Sequence, residues 1–175
     1  KNRAGYRNLL KLVSIANVEG FYYKPRVDKD LLEKYHEGLI VTTACIGGEI
    51  PQKILSGDVE GARESIRWFK SVFGDDFYLE LQRHPAEDPQ ARQDVYDQQV
   101  KVNKTLLAFS KELEVKVIAA NDVHFTDAGD AEAHDLLICL NTGKDFDDEN
   151  RMRYTKQEWF KTTGEMNELF SDVPE

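Results

Sequence analysis

Three side chains at the ends of apolar runs have the types that hold a divalent metal ion: Cys45, Asp122 and His124. Asp122 and His124 lie two residues apart, so an extended backbone projects both from one face. A carboxylate beside a neutral imidazole can hold a divalent ion and orient its bound water. The same Asp-x-His spacing also suits an Asx turn followed by a surface histidine, and spacing alone leaves both readings open. Cys45 in isolation is a small hydrophobe of the kind usually buried. At a strand end, level with Asp122, it becomes a candidate thiolate ligand suited to zinc.

The remaining candidates are weaker. His134 follows Asp130 by four residues on one helix face; the pair could bind metal, but a histidine so placed more often packs against the barrel or takes a carboxylate hydrogen bond. His36 and His84 read as surface and loop residues. Tyr22, Tyr23, Lys24 and Arg26 interleave aromatic and basic groups, the chemistry of single-strand or phosphate contact. A loop packed by two tyrosines explains that stretch equally well. Gly47-Gly48 lacks the Gly-Lys pattern of a phosphate loop, and no Ser-His-Asp set or nucleophile elbow is present.

These residues must be positioned by alternating helices and strands. Tyr6, Leu9, Leu10, Val13 and Ala16 predict a helix over 4–17 with that stripe as its packing face. The residue before Pro25 is driven out of the α region, so 21–26 is extended or turned. Asp28 caps a short helix ending near Tyr35. Leu39–Cys45 is β-branched and nearly continuous in apolar character, which predicts a strand covered on both faces. Helices follow at 49–55 and, capped by Asp58 and stopped by Gly74, at 59–73. Phe77–Leu81 reads as a strand. A polar loop from His84 to Pro89 leads into a long helix over 91–113, and Val115–Ala120 is a third strand. Asp127 or Asp130 caps a helix through Leu140. An acidic loop at 145–150 and short helices at 157–160 and 165–170 complete the chain. Strands alternating with long helices mean βαβ units, hence an α/β fold. Three strands suit a small open layer or part of a barrel.

Composition sets the outer bounds. The 175 residues suit one domain. With 41% hydrophobic and 31% charged residues the chain is of ordinary globular type. Lys and Arg number 23 against 32 Asp and Glu, a net charge of -9. That excess of acid disfavours broad contact with a nucleic-acid backbone, although a local basic patch remains open. No apolar run approaches the ~18 residues of a membrane span. The chain starts at Lys1 without a leader and is read as a segment cut from a longer protein. Cys45 and Cys139 then read as reduced cytosolic thiols.

The ordered words of the sequence add a resemblance. They include Glu19-Gly20-Phe21-Tyr22-Tyr23-Lys24-Pro25-Arg26, Ala44-Cys45-Ile46-Gly47-Gly48-Glu49-Ile50 and Ala120-Asn121-Asp122-Val123-His124-Phe125. Ala133-His134-Asp135 and Glu165-Met166-Asn167-Glu168-Leu169-Phe170 follow in order. Over essentially its whole length the chain resembles the later part of the N-terminal PHP (polymerase and histidinol phosphatase) domain of the bacterial DNA polymerase III alpha-subunit family, the replicative C-family polymerases. The resemblance implies a partial PHP-type (βα)7 barrel lacking its early strands, with a C-terminal helical extension. It divides the chain into barrel over 1–144 and, over 145–175, an acidic loop and short helices leading toward a catalytic domain that lies elsewhere.

By motif, the resemblance makes Cys45, Asp122 and His124 three of the family's nine metal ligands, the other six preceding Lys1. It implies Zn²⁺ or Mn²⁺ at the PHP site, Mg²⁺ at a polymerase site outside this chain, and a metal-dependent 3′–5′ exonuclease in the intact protein. The implied partners are DNA, with a weak contact at Tyr23, Lys24 and Arg26, and other replicase subunits such as the sliding clamp and a proofreading exonuclease subunit. No membrane is implied, the location is cytoplasmic, and the fragment by itself is expected to be inactive. Its open sheet edges predict edge-to-edge self-association. Two further readings are a structural module that docks a proofreading subunit, and a stand-alone PHP phosphoesterase. The tail Trp159–Phe170 counts against the latter, because similar sequence in the polymerase family leads on toward the catalytic domain.

Overall fold

A computed structural model describes residues 1–86, 92 and 94–173. Three parallel strands form one sheet in the order β1 (Val41–Thr42), β2 (Phe77–Leu81), β3 (Val117–Ala119). Val41 pairs with Phe77, and Leu79 with Val117, so β2 is central. Seven helices accompany the sheet among the described residues: α1 (Arg3–Val18), α2 (Lys29–Lys34), α3 (Glu49–Ser56), α4 (Val59–Phe73), α5 (Asp94–Leu113), α6 (Ala131–Thr142) and α7 (Thr163–Leu169). The fold is thus mixed α/β with a small parallel sheet, and helices connect successive strands as the alternation predicts.

Local chemistry explains the helix starts. The side chains of Asp28 and Asp58 accept hydrogen bonds from the backbone N–H of Leu31 and Gly61, both at 2.9 Å. Thr162 and Glu165 form a reciprocal capping box on α7. The expected start of α5 at Ala91, and Pro89 before it, lie outside the described residues.

The core lies on one face of the sheet. Phe77, Leu79 and Leu81 of β2 are buried and alternate with half-buried Tyr78 and Glu80. They pack with Ile50 and Ile54 of α3, Ala62, Ile66 and Phe73 of α4, and Val102, Leu106 and Phe109 of α5. Each such fully buried side chain contributes roughly 1.5–3 kcal/mol. The other face is polar and open: Glu80 accepts hydrogen bonds from Thr42 Oγ1 at 2.6 Å and Gln82 Nε2 at 2.7 Å.

Four expectations are corrected. The first strand is two residues long, not seven, and its sheet is covered on one face only. The reading of Leu39–Cys45 as doubly covered mistook an apolar run beside a sheet edge for a central strand. In α1, Tyr6, Leu9, Leu10 and Val13 of the expected stripe are exposed; Ala16 of that stripe is buried, together with Gly5 and Leu12. Close packing of backbone turns that helix: a Cβ on Gly5 would lie 2.0 Å from the carbonyl oxygen of Gly38, itself at φ +75°. Residues 157–160 are not helical; Trp159 makes a parallel bridge with Phe125. His84 is not a surface loop residue but is 3% exposed.

The chain beyond α6 packs back on the core. Phe170 is buried in it, and Arg83 donates to the Leu169 carbonyl at 2.9 Å and pairs with Asp172. Arg151 makes two 2.6 Å bonds to Asp135 of α6, with both side chains largely buried.

Candidate metal centre

Two strand ends deliver the candidate ligands to one cleft. Beyond β1 the backbone turns through Ala44, at φ 56°, and Gly48 N–H closes the turn on the Cys45 carbonyl at 2.8 Å. A side chain at Gly48 would place Cβ 2.3 Å from the Thr43 oxygen, so the turn requires glycine. It leaves Cys45 half-buried at the cleft rather than in the core. Beyond β3, the Asn121 amide donates to the carbonyls of Gln157 at 2.9 Å and Trp159 at 2.6 Å. His124 N–H donates to the Glu158 carbonyl at 2.7 Å. The segment 157–160 thereby fixes the Asp-x-His stretch like a short neighbouring strand.

The extended backbone expected at Asp122 is not found. Asp122 has φ 43°, so the two-residue parity with His124 does not carry through. The ring of His124 folds back instead, and its Nδ1 lies 2.5 Å from the Asp122 carbonyl oxygen. Its Nε2 meets the Tyr154 hydroxyl at 3.3 Å.

Cys45, Asp122 and His124 together line a cleft of about 360 Å³, with His84, Tyr154 and Glu158 among its other walls. His84 is held from two sides: Gln99 Nε2 approaches its Nδ1 at 2.9 Å, and its Nε2 faces the Asn121 carbonyl at 3.0 Å. Glu158 is 3% exposed; its Oε1 accepts from the Thr155 amide at 3.0 Å and hydroxyl at 2.6 Å. Its Oε2 has no hydrogen-bond partner among the described residues.

Electrostatics follow from this burial. Desolvation pushes His84 below the usual histidine range, against the opposing pull of Glu158 at 4.0 Å and the Asn121 carbonyl. His134 is lowered by burial and by His124 beside it. Tyr154 is raised by burial, with Asp122, Glu158 and Cys45 acting in the same direction.

The donor types fit a zinc-class ion, and a histidine Nδ1–H directed at a carbonyl is the usual way to present Nε2 to a metal. The arrangement as it stands does not fit one. Among the described residues no three His, Cys, Asp or Glu side chains approach closely enough to hold an ion. His134 does not join the ligands; its ring packs among Phe125 at 5.0 Å, Tyr154 at 5.1 Å and His124 at 5.9 Å. Tyr23, Lys24 and Arg26 do not line the cleft. They form an exposed turn in which Tyr23 has φ 58° and Arg26 stacks on Tyr22 at 5.3 Å.

Comparison with known proteins settles the relationship. Residues 1–84 match the PHP domain family. All of the chain aligns with DNA polymerase III subunit alpha of Borreliella burgdorferi, at 53% identity over 176 residues and 14% of that protein. The chain is homologous to one segment of the DNA polymerase III alpha subunits. The same subunit of Campylobacter jejuni is 39% identical, and that of Treponema pallidum 37%, again across the whole chain and over 15% and 14% of their lengths. The chain therefore spans about a seventh of the length of these DNA polymerase III relatives.

Tyr154, Glu158, Gln99 and the burial of His84 escape a reading of the sequence alone. Tyr154 reaches His124 across 30 residues of chain, and Gln99 reaches His84 across 15. No local spacing marks such partners. The one local signal is the polar run at 153–158, which is too weak to single out a residue.

Proposed function

We propose that the chain is the later part of a PHP barrel in a replicative DNA polymerase alpha subunit, with Cys45, Asp122 and His124 as part of its metal centre. The observation that carries this reading is that three ligand-type side chains, from two separate strand ends, line one cleft at the carboxyl side of a parallel sheet. In this reading residues 1–144 belong to the barrel, and 145–175 lead toward the catalytic domain. The relatives are about seven times longer, so the remaining barrel strands and ligands come from the rest of the protein. The ion is Zn²⁺ or Mn²⁺, and the intact protein has metal-dependent 3′–5′ exonuclease potential. Polymerisation, with its Mg²⁺, resides in the part of the protein outside this chain. The partners are DNA, including a contact at Tyr23, Lys24 and Arg26, and further replicase subunits such as the clamp and a proofreading exonuclease. The setting is cytoplasmic. No described helix is long and apolar enough to cross a membrane.

The test is a zinc and manganese titration of the chain, repeated with Cys45→Ala and Asp122→Ala. Weak zinc binding lost in both variants supports the centre; equal binding by all three proteins sinks it. The chain alone should neither extend nor shorten a labelled primer. One observation favours a second reading, in which the domain braces the polymerase and docks a proofreading subunit: no three donors converge in the cleft among the described residues. Full-length alpha subunit that binds no zinc would favour that alternative. Whole-chain similarity to polymerase subunits counts against a stand-alone phosphoesterase.

A further inference from the structure

The feature of the cleft least accounted for by a metal centre is the contact between Tyr154 and His124. The Asp122 carbonyl can only accept, so the His124 nitrogen 2.5 Å from it, Nδ1, carries the hydrogen. In the neutral ring the lone pair is then on Nε2, the atom that would bind an ion. That lone pair is taken: the Tyr154 hydroxyl lies 3.3 Å from Nε2 and donates to it. The two rings stand 4.7 Å apart, with the His134 ring 5.1 Å behind the phenol.

Tyr154 is held in place by its backbone as well. Its carbonyl accepts from Arg92 N–H at 3.1 Å, and Glu158, four residues on, binds the His124 amide. Both imidazole nitrogens of His124 are thus occupied within the chain. The ring lies in a cleft where, among the described residues, no three zinc-type donors come together.

The geometry points to Tyr154 as a cap on the ligand position of His124: the cleft described here is its closed form, and a zinc-class ion gains His124 only as the phenol leaves. The inference rests on the reading of Cys45, Asp122 and His124 as metal ligands. A capped site binds with its intrinsic affinity reduced by the fraction of molecules that are open. Removing the hydroxyl while keeping the ring should therefore tighten binding.

Tyr154→Phe does this, and zinc titration by calorimetry measures it on the whole 175-residue chain. The expected result is zinc binding about three- to tenfold tighter than wild type, the effect of releasing one hydrogen bond, with the gain abolished by His124→Ala in the same background. In the metal-free proteins, nitrogen NMR of the His124 ring should show Nε2 moving between wild type and Tyr154→Phe while Nδ1 stays. Equal zinc affinity of wild type and Tyr154→Phe overturns the cap and leaves the metal centre standing. Absence of binding by both overturns the cap together with the metal centre. A gain that survives His124→Ala, or an unmoved Nε2 signal, shows that the hydroxyl does not guard this ligand.

Discussion

Two concavities of the molecule differ in what lines them. The cleft at the strand ends has about 360 Å³ and walls of Cys45, Asp122, His124, His84, Tyr154 and Glu158. The groove between α1 and β1 is larger, about 760 Å³, and is lined by Tyr6, Leu9, Leu12, Val13, Val27 and Ile40 among others. Size therefore points away from the chemistry. The groove is a mostly apolar face, and the one charged residue on its wall, Lys1, is paired with Asp76. The cleft is small because its side chains already hydrogen-bond to one another. The comparison teaches that a site of this kind is recognised by converging polar groups, and that an exposed apolar stripe marks unfinished packing.

That contrast can be broken hardest at the wall of the cleft. Arg151 and Asp135 tie the 151–158 segment to α6 through two 2.6 Å bonds. Asp135→Ala leaves the guanidinium buried without its partner and should cost about 3 kcal/mol, measured by urea denaturation. A loss indistinguishable from zero would mean that the wall stands without the pair.

A smaller effect concerns the floor. Burial holds both His84 and His134 below the ordinary histidine value of 6.5. The folded state then favours the neutral ring, while the unfolded chain takes up a proton below 6.5. Stability is fully present above that pH and declines as pH falls toward the lowered folded value, by at most ~1.4 kcal/mol per unit for one proton. Unfolding measured between pH 7.5 and 5.5 should show that decline, and His84→Gln should remove most of it. A slope unchanged by His84→Gln would assign the effect elsewhere.

The smallest effect belongs to the groove. Leu9 is 48% exposed, so Leu9→Lys should shift stability by no more than about 0.5 kcal/mol. A loss several times larger would show that another surface covers α1 in solution, and sedimentation of wild type against variant would reveal whether that surface is a second copy.

The helices of the central layer were legible because their signals are local. Asp28 and Asp58 cap where their side chains predict, Gly74 ends α4, and β2 occupies the residues its alternation marks. The failures are those of context. An apolar stripe on α1 faces outward because Gly5 and Gly38 bring the backbones together along another side of the helix. The His84 imidazole looked like a loop residue because its partners Gln99 and Asn121 lie far along the chain.

Residue type, period and ordered motifs are written along the chain, and the α/β alternation and the similarity to the alpha subunits follow from them alone. Only the tertiary structure decided that Cys45 leaves the core, that Asp122 turns through positive φ, and that Tyr154 and Glu158 close over His124. The physical reason is that a hydrogen bond depends on position to within a few tenths of an ångström. Positions contributed by segments 30 or more residues apart are fixed by the packed sheet and helices that carry them.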